Sequence, residues 1–172
     1  HGRTLRQRYT GEADWTSIKT AVDAVEVPVI ANGDVVDARS AAACLEHTGA
    51  AGLMIGRGAI GRPSVFADIK VGLGWMDESE VPWIAANEEW YNFDEVNQSF
   101  AARRWCWDRY IELCEETVGI QARWMKRHAI AFTKGLPNAK KVRNIMHEQN
   151  TSKAMADAIS DYLAQGAEAS EG

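Results

Sequence analysis

Two short glycine-containing segments carry the residue types that bind phosphate groups. Asn32, Gly33 and Asp34 follow one apolar, β-branched run, and Gly56 and Arg57 follow another. Glycine lets backbone N–H groups approach a ligand closely, and an arginine can hold two phosphate oxygens at once. The carboxyl ends of parallel strands are also where α/β folds bind ligands. The sequence therefore predicts a shared phosphate site, in which Asp34 orients its loop or accepts from a ligand hydroxyl.

A second cluster of chemically capable residues lies at residues 1–8. An imidazole at His1 and guanidinium groups at Arg3, Arg6 and Arg8 precede the first predicted helix, as they would in a loop that follows a strand. Such a loop can hold a ligand, but arginines in loops more often face solvent alone. The residues by themselves leave both interpretations open.

The positive charge of the chain is concentrated in one segment. Residues 101–143 carry 10 Lys+Arg against 4 Asp+Glu, whereas the whole chain has a net charge of −5. Cations recur there at helical spacing and can share a face that contacts a polyanion, although charged faces usually meet solvent alone. The cations in question are Arg123, Lys126, Arg127, Lys134, Lys140, Lys141 and Arg143. Trp105, Trp107 and Trp124 could stack on bases, but we predict core positions for them.

The elements predicted around the glycine segments are those of an α/β fold. Apolar runs at 27–31 and 51–55 are interpreted as buried strands, because they are short, β-branched and bounded by turn residues. Asp37 is expected to cap a helix from about Ala38 to His47 that ends at Gly49. A strand, a helix and a strand in this order form a parallel pair, and we expect both of its faces to be covered. Flanking helices are predicted at 15–25 and 64–72.

The second half of the chain is predicted to be helical. Residues 76–91 are interpreted as a connection, since they combine proline, acidic residues and scattered tryptophan. Asn92 with Glu95 is expected to cap a long helix that reaches about Val118 and stops at Gly119. Further helices are predicted at 120–133, 138–148 and 152–164, and residues 166–172 are expected to be a disordered tail.

Composition excludes several classes of protein. No apolar run approaches the roughly 20 residues that a membrane helix needs, so we expect no membrane span. The spacing of the three cysteines, Cys44, Cys106 and Cys114, predicts neither a zinc site nor a disulfide framework. An odd number of cysteines without such a framework favours a reducing cytoplasm. The chain opens with His1 rather than Met, and we expect it to be a fragment.

Several motifs, taken together and in order, resemble the tRNA dihydrouridine synthase family. In the first half they are HGRT at 1–4, YTGEADW at 9–15, PVIANGDV at 28–35 and MIGRGAIG at 54–61. In the second half they are RH at 127–128 and TKGLP at 133–137, followed by Arg143. The resemblance covers nearly the whole chain apart from the connection and the tail.

The resemblance implies a fold, an activity and a set of site residues. The family fold is a flavin-binding TIM (β/α)8 barrel followed by an all-α bundle, so residues 1–75 would be the end of the barrel and residues 92–165 the RNA-binding domain. The implied activity is FMN-dependent reduction of the uridine C5–C6 double bond in tRNA, with NADPH as reductant. FMN contacts carry over to His1, Asn32, Gly33, Asp34, Gly56 and Arg57, and RNA contacts are expected at Arg3 and in the basic segment. No stable protein partner is implied.

The resemblance also implies what this chain lacks. The family's proton-donating cysteine lies in an earlier barrel loop, and none of the three cysteines here matches that motif, so no catalytic residue is expected and the chain alone should not turn over. Two other hypotheses stay open. One is a different phosphate-binding barrel, either a flavin oxidoreductase or an aldolase-like enzyme, and the other is a non-catalytic RNA-binding fragment. An α/β fragment without any ligand is the structural alternative.

Overall fold

The computed structural model describes residues 1–88 and 90–168, which form two compact units. One unit consists of His1–Ala59 and Val65–Asp77 and is called the α/β unit below. The other consists of Ile60–Ser64 and the chain from Glu78 onward and is called the helical unit.

The α/β unit contains two parallel strands and three helices. They are α1 (Trp15–Ala24), β1 (Ile30–Asn32), α2 (Ala38–Thr48), β2 (Gly52–Met54) and α3 (Val65–Gly72). Ile30 lies opposite Gly52 and Asn32 lies opposite Met54, so the predicted parallel pair is confirmed. The first strand begins later than predicted, since Pro28 has no N–H to donate to a ladder.

Local side-chain chemistry sets the ends of the helices in this unit. Asp14 caps α1 by accepting from the Thr16 and Ser17 amides at 2.9 and 3.2 Å. Asp37 caps α2 as predicted, because its carboxylate accepts from the Ser40 amide at 2.7 Å while the Ser40 hydroxyl accepts from the Asp37 amide. Gly49 ends α2 at φ +65°, a conformation that glycine adopts without strain.

The core of the α/β unit lies on one side of the strand pair. Its buried members are Ile18, Ala31, Val35, Ala41, Cys44, Val65 and Ile69. The expectation that both strand faces are covered is wrong for the described residues, because Ile30 is 56% exposed and Met54 is exposed as well. Successive residues of a strand point to opposite faces, and the helices of this unit cover the face that carries Ala31.

The described residues of the helical unit form five α-helices. They are α4 (Pro82–Ala85), α5 (Glu95–Glu116), α6 (Ala122–Phe132), α7 (Ala139–Glu148) and α8 (Ser152–Glu168). The fully buried Trp107 packs edge-on against Phe132 at 5.1 Å and donates from its indole N–H to the Ser160 hydroxyl at 3.0 Å. This core fixes the positions of α5, α6 and α8.

Two helix boundaries differ from the predictions. Asp94, not Asn92, caps α5, because its carboxylate accepts from the Asn97 amide at 2.8 Å. Asn92 belongs instead to a short 3-10 turn, in which the Phe93 amide donates to the Trp90 carbonyl. The last helix, α8, also extends beyond its predicted end at residue 164 and includes residues 166–168 of the predicted tail. Gly166 fits there because a side chain would overlap the Phe100 ring. Residues 169–172 of that prediction lie outside the described residues.

The segment interpreted as a connection packs into the helical unit from residue 78. Val81, Trp83 and Trp90 are buried, and Trp83 contacts the Trp105 ring at 5.8 Å. The boundary between the compact units therefore falls at Asp77. Within residues 1–88 and 90–168, no helix has the length and apolar character needed to cross a membrane.

Candidate functional site

A pocket of about 500 Å³ lies at the carboxyl ends of β1 and β2. It brings together all six residues that the sequence analysis assigned to a ligand, namely His1, Asn32, Gly33, Asp34, Gly56 and Arg57, and it adds Arg3, Tyr9, Val35, Val36, Met54 and Gly58. Two strand ends and the loop before α1 thus converge, as expected for a ligand site in an α/β fold.

The Asp34 carboxylate is held by two donors from the first loop. Arg3 donates to Asp34 Oδ2 at 2.8 Å, and the Ala13 amide donates to the same oxygen at 2.7 Å. The hydrogen bond from Arg3 lowers the pKa of Asp34, with smaller contributions from the Ala13 amide and from Arg57, so the carboxylate is ionised at neutral pH. Asp34 therefore joins the first loop to the end of β1, and its charge is compensated locally.

Arg3 is part of the pocket rather than of an exposed surface. Its side chain is only 6% exposed, and its Nε donates to the Gly11 carbonyl at 3.2 Å. Its Nη1 is buried and has no hydrogen-bond partner among the described residues. A buried donor without a partner is costly, which points to an acceptor supplied by a ligand. The pairing with Asp34 holds the Arg3 guanidinium in the pocket, and the RNA contact expected at Arg3 stays a prediction.

Arg57 presents the accessible positive charge of the pocket. It begins a 3-10 turn after β2, its side chain is exposed, and its Nη2 lies 3.9 Å from Asp34 Oδ1. The guanidinium carbon lies 4.8 Å from the centre of the Tyr9 ring, a distance at which a cation is attracted to an aromatic face. Sequence reasoning missed Tyr9, because a loop tyrosine carries no spacing signal of its own.

Gly33 makes room for the pocket and for its neighbours. Its φ is +134°, and a Cβ there would lie 2.6 Å from the Ala13 Cβ and 3.5 Å from His1 Cε1. The Trp15 indole N–H fixes the turn by donating to the Gly33 carbonyl at 2.9 Å. His1 Nδ1 accepts from the Arg3 amide at 2.8 Å, so a neutral ring carries its proton on Nε2 and can donate to a ligand.

Asn32 links the two strand ends. Its amide nitrogen donates to the Met54 carbonyl at 2.7 Å, and its backbone carbonyl accepts from the Gly2 amide at 3.1 Å. Its side-chain oxygen is left as an acceptor for a ligand hydroxyl.

The cysteines take no part in this pocket. Cys44 and Cys106 are buried, as predicted for core residues, and Cys114 is half-buried in the helical unit. Burial raises the pKa of the Cys44 thiol, which makes it a poor acid and a poor nucleophile. Among the described residues, no group of three His, Cys, Asp or Glu side chains could hold a metal ion.

A second charged surface lies on α6 and α7 of the helical unit. Arg123 and Arg127 are exposed one turn apart on α6 and form a cationic stripe. Lys134 is exposed just after the end of that helix, whereas Lys126 and Arg143 are half-buried. Lys140 and Lys141 are exposed at the start of α7. Within the described part of the chain, none of the seven predicted RNA-contacting cations of this segment forms a salt bridge. Such cations create a positive potential toward solvent.

The three tryptophans singled out from the sequence have different environments. Trp107 is a core residue, as predicted, but the same prediction is wrong for Trp105 and Trp124, which are both exposed. In α6 the buried face carries Met125, Ala129 and Phe132, which turns Trp124 out of the core. The Arg123 guanidinium lies 5.3 Å from the Trp124 ring centre.

Fold and site together define a class of protein. Paired strand ends line a pocket with compensated charges, and the helical unit of the same chain carries cations that form no salt bridge among the described residues. The family model of dihydrouridine synthase matches residues 1–167, and the chain belongs to that family.

Individual relatives agree with the family model. The chain is 32% identical over 162 residues to a probable tRNA-dihydrouridine synthase of Rickettsia conorii. The aligned residues cover 94% of this chain and 45% of that protein. It is 50% identical over 82 residues to a probable tRNA-dihydrouridine synthase of Rhodobacter capsulatus, covering 48% of this chain and 25% of that protein. It is 50% identical over 70 residues to tRNA-dihydrouridine synthase B of Escherichia coli, and this alignment covers 41% of this chain and 22% of that protein. The chain thus spans about half the length of the Rickettsia relatives.

Proposed function

We propose that the protein is part of a tRNA-dihydrouridine synthase, which reduces the C5–C6 double bond of uridine in tRNA with FMN as cofactor and NADPH as reductant. The observation that carries the proposal is the pocket at the strand ends, where a buried Arg3 donor has no partner in the part of the chain that the structure describes and Arg57 presents an exposed guanidinium. Family membership supplies the reaction class, and the pocket supplies residues that suit the cofactor.

The pocket residues fit the polar groups of FMN. Arg57 can hold two oxygens of the phosphate, and the glycines beside it let backbone N–H groups approach the same group. Asp34 Oδ1 and the Asn32 side-chain oxygen can accept from ribityl hydroxyls, whereas Arg3 Nη1 and His1 Nε2 can donate to the flavin or to its side chain. A bound flavin would be reduced by NADPH and, in its reduced form, would supply the hydride for the uracil ring.

Charge pairing explains how an aspartate can lie in a phosphate site. An unpaired carboxylate would repel a phosphate, but the Asp34 charge is compensated by Arg3 at 2.8 Å. Arg57 lies farther from the same carboxylate, at 3.9 Å, and its guanidinium is accessible to an anion. In this proposal Arg3 positions the site and Arg57 binds the ligand.

We assign tRNA binding to the helical unit. Its unpaired cations can contact the phosphate backbone, and a target uridine inside folded tRNA has to be extruded before it can reach a flavin. A separate module that holds the RNA would support that extrusion.

The proton donor for the reduced base is proposed to lie outside the residues of this chain. Two of its three thiols are buried in cores, and none is among the residues that line the pocket. We therefore expect no dihydrouridine when this chain alone is mixed with FMN, NADPH and tRNA. We place the reaction in the cytoplasm and the pocket at the end of an eight-stranded barrel.

Ligand titrations test the cofactor assignment. Binding to the chain would be followed by quenching of flavin fluorescence, with riboflavin as the matched ligand that lacks only the phosphate. We expect FMN to bind more tightly than riboflavin and Arg57→Ala to remove that preference, because a charge-assisted hydrogen bond contributes about 1.5–3 kcal/mol. Arg39→Ala, an exposed arginine on α2, is the control variant.

Two outcomes would overturn the cofactor assignment. One is equal affinity of the wild-type chain for FMN and riboflavin, and the other is an equal loss in the Arg57 and Arg39 variants. Circular dichroism of each variant separates a lost contact from a lost fold.

A further inference from the structure

Trp124 is an exposed aromatic side chain at the edge of the cationic stripe of α6. Its side chain is 43% exposed, although an indole is the largest apolar group available to a core. It lies in the first turn of α6, three residues before Arg127 and directly after Arg123. Residues three apart are neighbours on a helix surface, so Trp124 lies beside Arg127, and its ring is also in contact with the Arg123 guanidinium.

The structure assigns Trp124 a role in binding RNA. We propose that an unpaired base of the tRNA stacks on the Trp124 indole while adjacent phosphates contact Arg123 and Arg127. This inference rests on the proposed function, because it names the residue that recognises a base within the tRNA surface.

The Arg123 guanidinium supports the assignment by its position against the indole. It lies 5.3 Å from the ring centre, within the range of a cation–π contact, and it makes no ion pair among the described residues. The contact restrains the ring and keeps a positive charge beside it. A nucleotide offers the complementary pair of groups, a planar base for the indole and an anionic phosphate for the cations.

Trp105 and Trp124 differ in the residues that surround their rings. Trp105 is also exposed, but its ring packs against the buried Trp83 at 5.8 Å. Its sequence neighbour Arg104 is paired with Asp108 at 3.8 Å, whereas Arg123 and Arg127 have no acidic partner among the described residues. Trp124 therefore combines an accessible ring with uncompensated positive charge, and the charge selects a polyanion rather than an apolar protein surface as the occupant.

The test compares three variants of the chain, Trp124→Ala, Trp124→Phe and Trp75→Ala. Trp75 is 61% exposed in the α/β unit and controls for the loss of an exposed indole. Affinities for labelled tRNA and for a fully paired RNA duplex of similar length would be measured by fluorescence anisotropy over a range of salt. Folding of each variant is checked by circular dichroism.

Trp124→Ala is expected to weaken tRNA binding by roughly 5- to 150-fold, since stacking contributes about 1–3 kcal/mol per base. The slope of affinity against salt should stay unchanged, because no cation is removed, and duplex binding should also stay unchanged, because its bases are stacked inside. Trp124→Phe should bind within about threefold of wild type, since a phenyl ring still stacks. Trp75→Ala should have no effect.

Three results would overturn the inference. The first is a Trp124→Ala chain that binds tRNA as tightly as wild type, the second is a Phe variant as weak as the Ala variant, and the third is an equal loss for duplex RNA. A folded wild-type chain that binds no tRNA at low salt would instead overturn the proposed function and the inference together. The wild-type titration thus separates the two failures.

Discussion

The two units of the molecule use positive charge in opposite ways. In the α/β unit, Arg3 is buried and paired with Asp34, and Arg57 lies within 3.9 Å of the same carboxylate. In the helical unit, the cations of α6 and α7 have no acidic partner among the described residues. Paired charges fix the geometry of a small pocket, whereas unpaired charges add to a potential that attracts a large polyanion. The same residue type thus positions a site in one unit and provides long-range attraction in the other.

Pairing also predicts how each site responds to salt. Exposed charges are screened over about 10 Å at 0.1 M ionic strength, whereas buried pairs are screened much less. The buried Arg3–Asp34 pair should therefore be little affected by salt, whereas RNA binding on the exposed cations of the helical unit should depend on salt strongly.

The largest effect is expected from removing the core that supports the cationic surface. Trp107→Ala deletes a fully buried indole and its hydrogen bond to Ser160. We expect a loss of about 3–5 kcal/mol in the free energy of unfolding. Urea unfolding followed by circular dichroism measures it, and Trp75→Ala, at an exposed position, should change stability by less than about 0.5 kcal/mol. A loss below about 1 kcal/mol for Trp107→Ala would contradict the assigned core.

A smaller effect, confined to the pocket, is expected from Gly33→Ala. The new Cβ would lie 2.6 Å from the Ala13 Cβ at a φ of +134° that alanine avoids. Backbone strain of this kind costs about 1–3 kcal/mol, and the overlap pushes the first loop away from the strand end. FMN affinity, measured by flavin fluorescence, should fall while tRNA affinity stays the same.

Gly11→Ala is the matched control for that prediction. Gly11 also has a positive φ, +65°, but a Cβ there would meet no atom within 4 Å. It should retain more FMN affinity than Gly33→Ala, because strain is present without the overlap. Equal losses of FMN affinity in the two variants would contradict the effect expected from the overlap. A fall in tRNA affinity with Gly33→Ala would contradict the assignment of tRNA binding to the helical unit.

The smallest effect is a change in the pKa of His128. Burial lowers this pKa and the neighbouring Arg127 lowers it further, so the folded state resists protonation. As pH falls below about 6.5, the unfolded chain takes up a proton first, and the stability contributed by neutral His128 is lost as pH falls through the folded pKa. Arg127→Ala should therefore raise the pKa of His128 in an NMR titration.

Arg109→Ala is the control, because Arg109 is paired with Glu112 at 2.8 Å. It should leave the pKa of His128 unchanged. If both variants shift it equally, Arg127 does not act as an uncompensated charge.

Local patterns in the sequence predicted the parts of the fold that local chemistry sets. The cap at Asp37, the stop at Gly49 and the parallel order of the two strands all follow from short-range spacing, and the structure confirms them. The cap of α5 was misplaced by two residues, because Asn92 and Asp94 are both good capping residues and the choice depends on the turn before them.

Tertiary contacts account for the features that the sequence did not predict. The pairing of Arg3 with Asp34 was not predicted, because it joins positions 31 residues apart. Trp105, Trp107 and Trp124 have the same residue type and neighbouring cations, yet only the packing of α5, α6 and α8 decides which indole is buried. Tyr9 lies in the pocket because its ring contacts Arg57, and the spacing of these residues in the sequence does not predict that contact.

The most direct test of the account is a tRNA titration of the chain over a range of salt. It compares wild type with a variant that carries Arg123→Ala, Lys126→Ala and Arg127→Ala, and with a control that carries Arg104→Ala and Arg109→Ala at paired positions. We expect salt-sensitive binding whose slope falls by about one for each of the three cations removed and stays near wild type in the control. Equal slopes in all three folded proteins, or no binding by wild type at low salt, would contradict it.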